Sequence, residues 1–142
     1  MQDRPTAIEL LEAAADFVDR EIVPATSGRV QFQSRVVANV MRIVAREIAM
    51  EDRVVRDEVR ALAALLGETE PDPRGLDDLH KAAFGLNERL SGRIRAGDAD
   101  RGPWREKVLR AVRQAVEDKL KIANPRYLEA DLKIREKSFA PS

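Results

Sequence analysis

Four groups of residues in this sequence carry chemistry by type and spacing. The first is the single histidine, His80, in the run Leu76-Asp77-Asp78-Leu79-His80. Asp77 stands three residues earlier, where a carboxylate can orient an imidazole for general-base work. The plainer reading is an exposed helix residue beside first-turn acids, which the positive end of the helix dipole favours. That reading is preferred. An activated serine of the Gly-x-Ser-x-Gly type is absent from the sequence, so no catalytic residue is assigned.

The second group is Glu9, Glu12, Asp16 and Asp19, at steps of three, four and three. On a helix this spacing lines four carboxylates along one face, and carboxylate oxygens are the ligands Mg²⁺ takes. A solvated acidic face is the preferred reading, and no metal ligand is assigned. The third group is Arg35, Asn39, Arg42 and Arg46, aligned by steps of four, three and four. Guanidinium forks bind phosphates and carboxylates bidentately, so this row is a candidate anion site. The competing reading is cross-helix pairing with the acids. Residues 1–28 hold six acids and two bases, a charge of −4; residues 29–66 hold seven bases and five acids, or +2. The fourth group is the cluster from Lys119 to Leu128. Its cations suit a helix C-terminus and its Asn124-Pro125 suits a helix junction, which leaves Arg126 and Tyr127 unexplained by local rules. The candidate ligand-binding set is therefore Arg35, Asn39, Arg42, Arg46, Lys119, Asn124, Arg126 and Tyr127.

Helices must position these side chains. Thr6 followed by Glu9 matches a capping box, and Ile8, Leu11, Ala15, Val18 and Ile22 recur at helical steps. A first helix is predicted from Thr6 to about Val23, stopped by Pro24. A second runs from about Arg29 to Ala49 with an apolar stripe of Phe32, Val36, Val40, Ile43 or Val44, and Ile48. Its β-branched residues would suit a strand, but the helical step outlasts any ordinary strand. A junction near Met50 to Asp52 is expected before a third helix that ends at Leu66, with Gly67 beyond it. Leu76, Leu79, Ala83, Leu86, Leu90 and Arg93 form a seven-residue seam on a fourth helix, expected to pack antiparallel to its neighbours. Ala82, Ala83 and Gly85 are expected to admit another backbone closely, offsetting the cost of Gly85 and Gly92 within a helix. Pro103 opens a fifth helix, whose Trp104, Val108, Val112, Ala115 or Val116, and Leu120 are expected to face inward. A short sixth turn carries Tyr127 and Leu128.

The predicted fold is all-α: a five-helix, up-and-down-like bundle over residues 1–128, with a C-terminal extension over 129–142 that is mobile or laid on the surface. The length of 142 residues suits one domain and a core that needs no staple. The 25 basic and 25 acidic residues cancel, which argues against a nucleic-acid binder. The absence of cysteine removes thiolate chemistry, cysteine zinc sites and iron–sulfur clusters. The N-terminus has no secretory pattern and no stretch is long and apolar enough for a membrane span, so cytoplasm is the expected compartment.

Two resemblances follow from these motifs. Glu9-x-x-Glu12 resembles half of the acidic motif of the all-α nucleotide pyrophosphohydrolases. The second acidic pair that family needs is missing, because Glu47 has no partner at the right step. The second resemblance spans residues 3–128. It is carried by Arg4-Pro5-Thr6-Ala7-Ile8-Glu9-Leu10-Leu11, by Arg35-Val36-Val37-Ala38-Asn39 through Val44-Ala45-Arg46-Glu47, and by Lys119 through Asn124-Pro125-Arg126-Tyr127-Leu128. These stretches resemble a small bacterial helical domain family without a settled activity. It is encoded near aminoglycoside-phosphotransferase-like kinases and acyl-CoA dehydrogenases.

The expected function is a non-enzymatic accessory or regulatory domain without a cofactor. It would bind a partner protein of the kinase-like or acyl-CoA dehydrogenase-like class, or associate with itself, with no nucleic-acid or membrane partner. The alternative is a binding module for an anionic small molecule, a nucleotide or acyl-CoA. A Mg²⁺-dependent nucleotide hydrolase on the acidic row is the weaker alternative.

Overall fold

The computed structural model describes residues 4–139, with side chains through residue 134. Regular structure among the described residues is helical throughout. The elements are α1 (Ala7–Phe17), a π-helical turn (Val18–Ile22), α2 (Val23–Ala25), α3 (Gly28–Leu66), α4 (Leu76–Arg95), α5 (Pro103–Ala123) and α6 (Pro125–Phe139). The all-α class agrees with the sequence pattern. No helix among the described residues is long and apolar enough to cross a membrane.

Local signals placed most helix ends correctly. The Glu9 amide donates to Thr6 Oγ1 at 3.2 Å, and the Thr6 amide donates to Glu9 Oε2 at 2.7 Å, which completes the capping box. Gly67 and Gly97 end α3 and α4 at φ 73° and 91°, in the left-handed region where a Cβ is unfavourable. The same hydrogen-bond pattern closes both helices. Glu68 N–H reaches Ala63 C=O and Gly67 N–H reaches Ala64 C=O; Asp98 N–H reaches Arg93 C=O and Gly97 N–H reaches Ile94 C=O. Pro103 is the first residue of α5, as its missing N–H suggests.

Three expectations about elements are corrected. Pro24 does not end the first helical segment. The chain widens into the π-turn, where Val23 N–H bonds to Val18 C=O, and α2 continues to Ala25. A proline ring clashes with the carbonyl four residues before it, and the wider register relieves that crowding. Thr26 Oγ1 then donates to Ile22 C=O at 2.8 Å and Gln31 Nε2 to Val23 C=O at 3.0 Å, satisfying the carbonyls at that end. The junction near Met50 to Asp52 does not exist: α3 is one helix of 39 residues, about 58 Å long. No Gly or Pro breaks it there. Asp52 instead receives both Nε and Nη2 of Arg56, at 2.8 and 3.0 Å, an i,i+4 pair in the favourable acid-first order. Residues 125–139 form α6, more than the single turn expected around Tyr127 and Leu128.

The chain divides into two compact units. The first comprises residues up to Glu51 with Ile122–Asn124; the second comprises residues 52–121 with those from 125 onward. In the first unit, α1 and the opening half of α3 run antiparallel, since Val23 meets Gln31 while Asp16 meets Arg42. Ile8, Leu11, Val18 and Ile22 are half-buried and Ala15 is fully buried, the stripe expected.

The second unit holds the large core. Val55, Val59, Leu62 and Ala63 of α3 pack with Leu79, Ala83, Leu86 and Leu90 of α4 and Val108 of α5. Four seam positions of α4 are thus its buried residues. The neighbours are not all antiparallel. Asn87 meets Glu58, while Arg93 stacks on Trp104, whose indole N–H donates to Leu65 C=O. Positions on α3 and α4 therefore advance together, and the two helices run parallel. The connection over residues 67–75 is long enough to return the chain, tethered by Glu70 to Arg60 and Glu68 to Arg89. On α5, Val108 is buried and Trp104, Ala115 and Leu120 are half-buried, as expected with Ala115 taking the inward place rather than Val116, but Val112 is exposed where an inward position was expected. Ala111 and Asp118 join Ala115 on the inward face, lining an α3–α5 cavity of about 50 Å³.

Gly85 and Gly92 do not admit a neighbouring backbone. A Cβ at Gly85 would meet only the Arg89 guanidinium at 3.3 Å, and one at Gly92 would meet nothing within 4 Å. The helix cost of Gly92 is therefore not offset by packing. Gly92→Ala is expected to raise the unfolding free energy by about 0.5–1 kcal/mol. Urea unfolding followed by circular dichroism checks this; a lower midpoint would reveal a contact that the open space around Gly92 does not contain.

Candidate functional site

The charged rows of the first unit face one another. Arg42 of α3 donates from Nη1 to Asp19 Oδ2 at 2.6 Å and from Nη2 to Asp16 Oδ1 at 3.0 Å. These hydrogen bonds, Asp19 first and Asp16 second, push the guanidinium pKa up. Asp16 also lies 3.6 Å from Arg20, and Glu9 serves the capping box with Arg4 at 3.8 Å. Glu9, Asp16 and Asp19 of the acidic row are thus engaged in a cap or in ion pairs. Among the described residues, no three acidic or histidine side chains converge as a metal-holding group. Exposed pairs of this kind contribute about 0–1 kcal/mol each, so they set register more than stability.

The other candidate ligand residues are distributed as follows. Arg46 Nε donates to Ile122 C=O at 2.7 Å, satisfying a carbonyl in the last turn of α5. Arg35 and Asn39 are exposed on α3, and Asn124 is exposed between α5 and α6. These belong to the first unit, whereas Lys119, Arg126 and Tyr127 belong to the second. Lys119 Nζ lies 3.4 Å from Glu58 Oε1, and Arg126 and Tyr127 are exposed on α6.

Sequence reasoning missed the partners of Lys119. Glu58 is a carboxylate whose side chain is only 10% exposed, and Asn87 Nδ2 donates to the same Oε1 at 3.0 Å. Asn87 also bonds to Ala83 C=O within α4, so its amide is held from two sides. These groups line an open cleft of about 570 Å³ with His80, Lys81 and Phe84. Among the described residues no Ser, Thr or Cys lines it; the described lining offers an ion pair and an imidazole. His80 is exposed, as the plainer reading had it. The available signal was Asn87 itself, a polar amide one position after the seam residue Leu86. Nearby, burial pushes the Asp118 carboxyl up, but hydrogen bonds from Lys121 and Gln114 outweigh it and hold the pKa below the ordinary value.

The most unusual surface is apolar. The buried residue of α1 is Ala15, and the opening half of α3 buries Ala38 and Ala45. Most of the stripe expected to be core is turned outward: Phe32 is 62% exposed, Ile48 53%, Val40 49% and Val36 41%, while Ile43 and Val44 are half-buried; Val30 and Val37, outside that stripe, are exposed as well. Leu10 and Phe17 of α1 are also exposed. Val30 and Val37 border a groove of about 480 Å³ whose far wall is Val18 and Ile22. Ala38 and Ala45 share the side of α3 that carries Arg42, which meets Asp16 and Asp19, and small residues on such a side let a neighbouring helix approach closely.

Fold and surface together define an all-α domain whose charged rows meet at Arg42, Asp16 and Asp19 and whose Phe32, Val36, Val40 and Ile48 are exposed. The chain belongs to the family described as Domain of unknown function (DUF6285), which it matches over residues 24–127. No curated protein and no solved structure matches the chain.

Proposed function

We propose that the chain is a non-enzymatic accessory or regulatory domain that works by protein–protein contact. It binds a partner protein, of the kinase-like or acyl-CoA dehydrogenase-like class, or pairs with itself. The supporting observation is the exposure of Phe32, Val36, Val37, Val40 and Ile48 in a unit whose buried residues, among those described, are Ala15, Ala38 and Ala45. Contiguous apolar surface of this kind marks interaction sites on soluble domains. The gene-neighbourhood resemblance supplies the partner class. Anion binding is the less supported reading, because Arg42 and Arg46 direct their donors to Asp16, Asp19 and Ile122.

The test is co-expression with the neighbouring kinase-like and acyl-CoA dehydrogenase-like gene products, followed by affinity capture and light scattering. At least one enzyme is expected to be retained stoichiometrically, with retention lost in Val40→Glu. A chain that captures neither enzyme and stays monomeric would overturn the proposal.

A further inference from the structure

The apolar stripe of α3 carries a charge arrangement that selects its occupant. Arg29 and Glu47 are eighteen residues apart, about five helical turns, so they project to the same side of the helix. That side is the one bearing Val36 and Val40. Arg29 lies near one end of the exposed stripe and Glu47 near the other, and neither forms an ion pair among the described residues. The charges flanking the stripe are thus a base at its start and an acid at its finish.

We propose that residues 29–48 of α3 pair with the same segment of a second copy, antiparallel and across a two-fold axis. The inference rests on the contact reading above and names the partner. A two-fold contact is self-complementary by construction. With the axis between Val36 and Val40, Val36 of each copy meets Val40 of the other and Phe32 meets Val44. Arg29 of each copy then meets Glu47 of the other, twice per pair. A parallel arrangement would set Arg29 against Arg29, so charge selects the antiparallel one.

Phe32, Val36 and Val40 project from the same side of α3 and are 62%, 41% and 49% exposed, so the pairing covers large apolar side chains that the chain itself leaves in water. Two helices whose fully covered described side chains are Ala15, Ala38 and Ala45 also gain from such pairing the second layer that a packed core requires.

Light scattering of the full chain from micromolar to sub-millimolar concentration tests the proposal. The expected mass is twice the 15.9 kDa of one chain. Val40→Glu is expected to return the single-chain mass with its helical circular dichroism intact. Arg29→Glu and Glu47→Arg should each weaken association about tenfold. The double exchange should restore it, because each copy then offers an acid to the other's base. If Val40→Glu fails to fold, the exchanges at these two exposed residues carry the test alone. A single-chain mass throughout, a dimer indifferent to Val40→Glu, or a double exchange that fails to restore association would each overturn the pairing. A single-chain mass with Val40-dependent capture of a neighbouring enzyme overturns self-pairing and leaves the accessory reading standing. A charge-restorable dimer that captures neither enzyme supports the pairing and removes the enzyme partners.

Discussion

Leu86→Ala is expected to lower the unfolding free energy by about 3 kcal/mol. Leu86 is 0% exposed and lies in the core cluster with Val59, Leu62, Leu79 and Leu90. Truncation removes the transfer energy of the lost methyl groups and leaves a cavity that close-packed neighbours fill only in part, a combined cost of about 2–5 kcal/mol. A domain of this size has a total stability of about 5–15 kcal/mol, so the loss is a large fraction of it. Helix propensity opposes the change slightly, since Ala is the better helix former, and does not reverse the sign. Urea titration should show a lower midpoint at an unchanged slope. A midpoint within error of the parent would place Leu86 outside the core and refute the seam on α4.

Ala38→Leu is expected to cost about 1–3 kcal/mol, through overpacking. Ala38 is fully buried, and the unit's other buried residues are Ala15 and Ala45. The helices approach closely because these side chains are methyl groups. A leucine at Ala38 must force α1 away from α3 or adopt a strained rotamer. Because Leu and Ala have similar helix propensity, the effect reports packing alone. Moving α1 would also separate Asp16 and Asp19 from Arg42. Hydrogen exchange should therefore accelerate across residues 7–22, with the midpoint lowered. The control is Ala13→Leu at an exposed position of α1, expected to stay within about 0.5 kcal/mol of the parent. Equal behaviour of the two variants would show that α1 and α3 do not pack through their alanines.

Both predictions concern residues whose environments were unequally legible. Leu86 belongs to a seven-residue seam of one apolar face, and a helix with one such face has one way to bury it. Ala38 sits on a helix that is apolar on two sides. One side carries Ala38 and Ala45, the other Phe32, Val36, Val40 and Ile48. Hydrophobicity favours the larger stripe as the core, which is the reading periodicity supports. Close approach of α1 selects the smaller one, and the Arg42 pairs with Asp16 and Asp19 fit that choice. The candidate ligand row divides in the same manner: the alignment of Arg35, Asn39, Arg42 and Arg46 was legible, while the carboxylates and the carbonyl that engage Arg42 and Arg46 lie 23 to 76 residues away.

Read alone, the residues determined the helical class, the capping box at Thr6 and Glu9, the glycine closures at Gly67 and Gly97, the start at Pro103 and the buried seam of α4. The caps, closures and starts depend on groups within about five residues along the chain, whose geometry backbone and side chain settle between themselves, and the seam follows from α4 having a single apolar face. Tertiary structure decided the parallel course of α4, the shielding of Glu58 by Asn87 and Lys119, and the outward turn of Phe32, Val36, Val40 and Ile48. Those outcomes follow from competition among surfaces distant in sequence, where the contact formed depends on which partner comes within van der Waals reach and not on the periodicity of either helix.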